Sequence, residues 1–135
     1  METKSFHIGD VLSAMTGTLV SPRYIGGVYD VLNWMTGESL VTHQLPRASR
    51  ECEGTLREAF PDLAAIKFPD WSRVPDADKE RVIVREWLAS QVATHGETRE
   101  VPRLSEQDHT RIDPIAEFKM MRPDAEIITV DLGDA

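Results

Sequence analysis

A single cysteine, Cys52, occurs in the 135 residues. No intrachain disulfide can form, and this thiol economy points to a reducing compartment. No apolar run approaches the roughly 20 residues that cross a bilayer, so no membrane association is expected. The opening METKSFHIGD lacks the apolar core of a secretion signal. Together these features predict a cytoplasmic protein. Paired CxxC and HExxH spacings are missing, and His7, His43, His95 and His109 are scattered, so no metal site is expected. The pair Gly26-Gly27 lies inside a helical pattern and fits neither GxGxxG nor a phosphate loop, so no nucleotide cofactor is expected. An excess of basic charge is missing too. The net charge is −8, of which residues 61–135 carry −6. That balance argues against indiscriminate binding to phosphate backbones, although a local basic patch remains compatible with it. It keeps the chain soluble and steers it toward basic partner surfaces.

What the sequence does contain is a stretch that occurs twice. Residues 10–21 read DVLSAMTGTLVS and residues 30–42 read DVLNWMTGESLVT. Asp10, Val11, Leu12, Met15, Thr16 and Gly17 match Asp30, Val31, Leu32, Met35, Thr36 and Gly37. With one residue inserted, Leu19, Val20 and Ser21 match Leu40, Val41 and Thr42. Each copy reads as the end of a helix, a glycine stop, a short apolar link and the cap of the next helix.

On that reading the first helix starts near Asp10, buries Ile8, Val11, Leu12 and Met15, and stops at Gly17. Ser21 caps the second, with Pro22 at its first position and Val20 stapled on Ile25. Ile25, Val28, Tyr29, Leu32 and Met35 form its buried stripe. Gly26 and Gly27 should weaken it by roughly 1 kcal/mol each, which suggests a close helix crossing. Thr42 caps the third helix, which runs to about Phe60 and buries Leu45, Ala48, Cys52, Leu56 and Phe60. Pro61 ends it. A proline-punctuated connector, 61–75, lays Leu63, Ile66, Phe68 and Trp71 against the core. A fourth helix runs from Asp76 to about Thr94, with Ile83, Val84, Trp87, Leu88 and Val92 as its stripe and Gly96 as its stop. A short strand is expected around Arg99–Arg103, held to an edge by Pro102. Asp113 and Pro114 open a short helix, Ile115–Met121. Glu126–Leu132 has the strongest strand pattern and must pair either near Val101 or with a second copy of the chain, giving a homodimer. The expected fold is therefore mainly α (α+β), one domain, with three packed N-terminal helices, a fourth long helix and a small C-terminal helix–strand unit.

No catalytic constellation emerges. Cys52 falls on an apolar helix face, where a thiol acts as a small hydrophobe, and lies about 13 Å along the helix from His43. Arg47–Glu51 and Glu53–Arg57 are i, i+4 pairs. The most informative polar group is THQLPRASR, residues 42–50. At a helix start, His43, Gln44, Arg47 and Arg50 could grip a carboxylate or phosphate on a partner. Alternatively, His43 and Gln44 tie down the helix start while the arginines pair with neighbouring acids. Trp71, in FPDWS, is either an exposed anchor for a partner or part of the core.

The run FHIGDVLSAMTGTLVSPRYIGGVYDVLNWMTGESLVTHQLPRASREC resembles a family of small uncharacterised proteins encoded by tailed bacteriophages and prophages. The tail IDPIAEFKMMRPDAEIITVDL is similar to the end of the same family. The resemblance spans residues 6–60 and, more loosely, 112–132, and brings no catalytic residues with it. It implies a bacterial host cytoplasm and an accessory role, such as blocking a host defence (CRISPR-Cas is an example) or redirecting a host enzyme. The leading expectation is a non-enzymatic module that binds a host protein. The alternatives are a nucleic-acid-associated regulator, using the helix from Thr42 to Phe60 with Arg47, Arg50 and Arg57 as its contact face, and a small enzyme with an unrecognised site.

Overall fold

A computed structural model describes residues 2–122. Strand β1, Thr3–His7, runs directly into helix α1, Ile8–Thr16. Helices α2, Ile25–Thr36, and α3, Leu45–Ala59, follow, the latter entered through a 3-10 turn at Thr42–Gln44. A single turn, α4, Pro61–Ala64, precedes the long helix α5, Ala77–His95. Strand β2, Thr98–Pro102, and helix α6, Pro114–Met121, complete the described residues. The protein is mainly α with a two-stranded sheet, as its sequence predicts. The core lies where α1, α2 and α3 meet. Ile8, Val11, Leu12, Val31, Leu32, Ala48, Cys52 and Leu56 are fully enclosed there.

The sheet contains a strand the pattern did not predict. β1 pairs antiparallel with β2, placing Lys4 opposite Val101 and Phe6 opposite Arg99. Only Phe6 of TKSFH is buried, so the alternation that identifies a strand is almost absent. Residues around Val101 are thus paired with the N-terminus; the segment Glu126–Leu132 lies outside the described residues. Trp34 fastens the sheet to α2: its indole N–H donates to the Val101 carbonyl at 2.8 Å. The Arg103 guanidinium stacks 3.9 Å from its ring centroid.

Three helix starts differ from the expected ones. α1 begins at Ile8, because His7 Nδ1 accepts from the Gly9 N–H at 2.9 Å and the Ile8 N–H is held by the Glu97 carbonyl. Asp10, expected as the cap, is instead a first-turn residue aimed into the interior. α2 begins at Ile25 rather than after Ser21. The Ser21 hydroxyl is engaged by Asp10 and by the Arg23 N–H, and Ser21–Tyr24 closes as a turn. Ile25 is consequently half-exposed and outside the core, so it does not serve as the staple partner of Val20. At α3, Gln44 replaces Thr42 as the stabilising side chain: its Oε1 accepts from the Val41 N–H at 3.1 Å. The Thr42 hydroxyl pairs with Tyr29 Oη at 2.6 Å. By contrast, Asp76 and Asp113 cap α5 and α6 as expected.

The two copies of the repeat end their helices alike. Gly17 and Gly37 have φ of 78° and 73°, the left-handed region in which glycine is unstrained. Thr16 and Thr36 hydroxyls donate back to Leu12 and Leu32 carbonyls, both at 2.7 Å. Ser13 Oγ accepts from the Val20 N–H and Asn33 Oδ1 from the Leu40 N–H, each at 2.9 Å. Buried Val20 therefore corresponds to buried Leu40, and the one-residue insertion of the sequence alignment is not needed. Between the copies, α1 and α2 touch at Gly27. A Cβ there would lie 2.2 Å from Asp10 Oδ1, whereas one at Gly26 would meet open space. The close crossing expected from the glycine pair thus rests on Gly27 alone.

Candidate functional site

The THQLPRASR segment faces its own chain. His43 Nε2 lies 2.6 Å from the Pro114 carbonyl, and its ring meets Phe118 edge-on. Gln44, buried, donates to the Ile112 carbonyl at 3.1 Å. Arg47 forks onto Glu117, with Nε–Oε1 at 2.6 Å and Nη2–Oε2 at 3.1 Å. It also reaches Glu51 at 3.2 Å and the Thr110 carbonyl. The guanidinium holds the Glu117 carboxyl below the usual carboxylate range, against the opposing effect of burial. Next to this, His109 spans two carboxylates, with Nδ1 2.8 Å from Glu51 and Nε2 2.7 Å from Glu38. Of the four polar residues singled out, His43, Gln44 and Arg47 therefore tie residues 110–118 to the start of α3. Arg50 is exposed and makes no ion pair among the described residues.

Trp71 stands apart from that group. It packs with Phe68 and Trp87, ring centroids 6.2 and 5.4 Å away, and is partly buried against the core. Its indole N–H is buried without an acceptor among the described residues. Cys52 is fully enclosed, and burial pushes its thiol up to about 12. A thiol so protonated is a poor nucleophile at neutral pH. In the native protein it should therefore stay unmodified by a colorimetric disulfide reagent and titrate as one thiol only after denaturation. Rapid labelling without denaturant would contradict the burial. Among the described residues no group of three His, Cys, Asp or Glu side chains is gathered for a metal ion.

A cluster absent from the sequence reading lies between α1 and the turn at residues 21–24. Asp10 is 1% exposed. Its Oδ1 accepts from the Ser21 hydroxyl and its Oδ2 from Arg23 Nη2 at 2.6 Å. Arg23 Nη1 continues to Asp30 at 2.5 Å. Ser13 Oγ accepts from the N–H groups of Val20 and Ser21, both at 2.9 Å. These bonds set the path of residues 18–24 as a fixed wall.

Opposite that wall runs α5, and between them lies a groove of about 400 Å³, within the size range of ligand clefts. Leu19, Pro22 and Tyr24 line one side; Arg81, Val84 and Leu88 line the other, with Glu80 and Arg85 also facing it. Gly9 lets the two sides approach: a Cβ there would stand 3.0 Å from both Leu88 and Pro22. Leu19 is 46% and Tyr24 50% exposed. Tyr24 is also the one non-glycine residue with positive φ (55°) among the described residues. Such outliers cluster at ligand clamps. The signal that could have revealed α5's part is the 3–4 spacing of Ala77, Glu80, Arg81, Val84, Arg85 and Leu88. The facing wall is not readable from residue order, because a helix capped by Ser21 would take in Tyr24.

Residues 6–66 match the model of a family described as a domain of unknown function, DUF7736. The match takes in α1 to α4 and the Leu19–Tyr24 wall, and stops before α5. No curated protein and no solved structure matches the chain. Among the described residues no helix is long and apolar enough to cross a membrane.

Proposed function

We propose that the chain is a non-enzymatic protein-binding module, encoded by a bacteriophage or prophage, that acts on a host protein in the bacterial cytoplasm. Inhibition of a host defence such as CRISPR-Cas is the role toward which its sequence resemblance points. The observation that supports the reading is the charge-rimmed apolar groove between residues 19–24 and α5. Apolar surface of this kind, edged by polar residues, marks interaction sites. Affinity purification of the tagged chain from bacterial lysates should recover a protein that rebinds the purified chain at fixed stoichiometry. Repeated recovery of nothing beyond background would overturn the reading.

The nucleic-acid alternative has weaker support. Of its three contact arginines, Arg47 is committed to Glu117 and Glu51, and Arg57 to Glu53 at 2.9 Å. Arg50 is left for a phosphate, with Arg57 held back only by an exposed pair. A gel-shift series on generic duplex and single strands should show no complex even at low salt, where counterion release favours binding most. A retarded band whose affinity falls steeply with salt would reverse this preference.

A further inference from the structure

We infer that the groove takes an amphipathic α-helix of the partner protein, carrying a large apolar anchor with a carboxylate one turn away. This rests on the protein-binding reading above and specifies its site and the chemistry of its ligand. Three observations converge on it.

The first is the shape of the groove. Its α5 side runs from Ala77 to Leu88, about 16 Å at the rise of a helix, so an elongated occupant fits it. The second is the state of the loop backbone. The N–H groups of Thr18, Val20, Ser21, Arg23 and Tyr24 are all taken within the chain, and Pro22 has none. Only the Leu19 N–H is left without an acceptor among the described residues, so an extended peptide would find one donor rather than a ladder. An occupant must close its own backbone hydrogen bonds, as a helix does. The third is charge. Arg81 and Arg85 sit one turn apart on the groove face of α5, which Glu80 shares. Arg81 lies 5.9 Å from the Tyr24 ring and only 3.8 Å from Asp78. Arg85 has no ion-pair partner among the described residues. With Arg81 partly answered by Glu80 and Asp78, Arg85 is the group that selects a carboxylate at contact distance, inside a screening length of about 8 Å. The apolar anchor would seat between Leu19, Tyr24 and Val84, above the floor formed by Pro22 and Leu88.

A display library of 16-residue helical peptides, randomised on one face and panned against the full chain, tests this directly. Selected sequences should converge on one Leu, Met or Phe with Asp or Glu three or four positions away. Leu19→Asp should abolish their binding. Arg85→Glu should weaken it by about tenfold or more and, on re-panning, shift the preference to Lys or Arg. Both sites are exposed, so the variants should melt with the parent. Failure to enrich any sequence would overturn the assignment, as would peptides indifferent to both substitutions or selection of extended proline-rich segments. Self-association of the chain that Leu19→Asp abolishes would assign the groove to a second copy and also overturn it. If the protein captured from lysate still binds the Leu19→Asp variant at full strength, the module binds its partner elsewhere; the groove assignment then fails while the functional reading stands.

Discussion

Replacing Gly27 with alanine should lower the stability of this protein by about 2–4 kcal/mol, because it overpacks the helix crossing and displaces a buried carboxylate. The backbone at Gly27 is helical, so the added methyl group is not excluded by conformation. It is excluded by space: its carbon would lie 2.2 Å from Asp10 Oδ1 and 2.4 Å from Ser21 Oγ. Something must move. If Asp10 yields, a carboxylate that is 1% exposed loses the Ser21 hydroxyl and strains its 2.6 Å contact to Arg23. If α2 yields, Val31 and Leu32 lose their fit against Val11 and Leu12, and overpacked cores typically lose 1–3 kcal/mol even when charges are spared. Gly26→Ala is the control, since nothing lies within 4 Å of that position. It should stabilise the helix by up to roughly 1 kcal/mol. Thermal melts followed by circular dichroism should separate the two variants by roughly 10–25 °C. Equal midpoints would mean that α1 and α2 do not cross at Gly27.

The second large effect is expected at Glu117, the residue of α6 that Arg47 grips with two hydrogen bonds. Its side chain is 6% exposed and that of Arg47 is 15% exposed, so solvent screens the pair little. Glu117→Ala leaves the guanidinium partly uncompensated and should cost about 2–4 kcal/mol. The loss should be local: amide exchange should accelerate across residues 112–122 while the α1–α3 core keeps its protection. The same contact sets an acid dependence. Because Arg47 lowers the folded-state pKa of Glu117, the stabilisation is complete above the ordinary carboxyl value near 4.3. It is lost as pH falls through the depressed one. Parent protein taken from pH 6 to pH 3 should therefore loosen α6, and Glu117→Gln should be loosened already at pH 6 and change less on acidification. Asp62 is depressed in the same sense by Arg99. It is 44% exposed, so water screens its contribution. Undiminished protection of α6 in both variants would show that Arg47 does not hold it.

Much of this architecture can be read from residue order, and the exceptions have physical causes. Helices α5 and α6, and the end of α3, announce themselves by proline, aspartate and glycine. These act through local backbone geometry and need no distant partner. The starts of α1 and α2 do not, because Ser21 and Asp10, both good caps, satisfy each other across the helix crossing. Ile83, expected in the stripe of α5, is exposed at 40%, and Leu88 is the one buried residue of that helix, so its apolar pattern exceeds what the core covers. His43, Gln44 and Arg47 look like a ligand-binding group because polar side chains at a helix start bind polar chain of any origin. Here that chain is residues 110–117 of the same molecule. The groove joins a loop and a helix nearly 60 positions apart, a proximity that no periodicity encodes.

The pairing of β1 with β2 has a consequence for the order in which the molecule assembles. Thr3 and Glu100, joined across the sheet, are separated by 97 positions. At about 5–20 residues per second, the N-terminal strand waits on the order of 5–20 s during synthesis before its partner exists. Helices α1 to α3 emerge in that interval and can condense around Leu12, Leu32 and Leu56. The closing event is then the arrival of Val101 beneath Trp34, and until the ribosome has delivered it, the amide of Ile8 has only water or a chaperone to answer it.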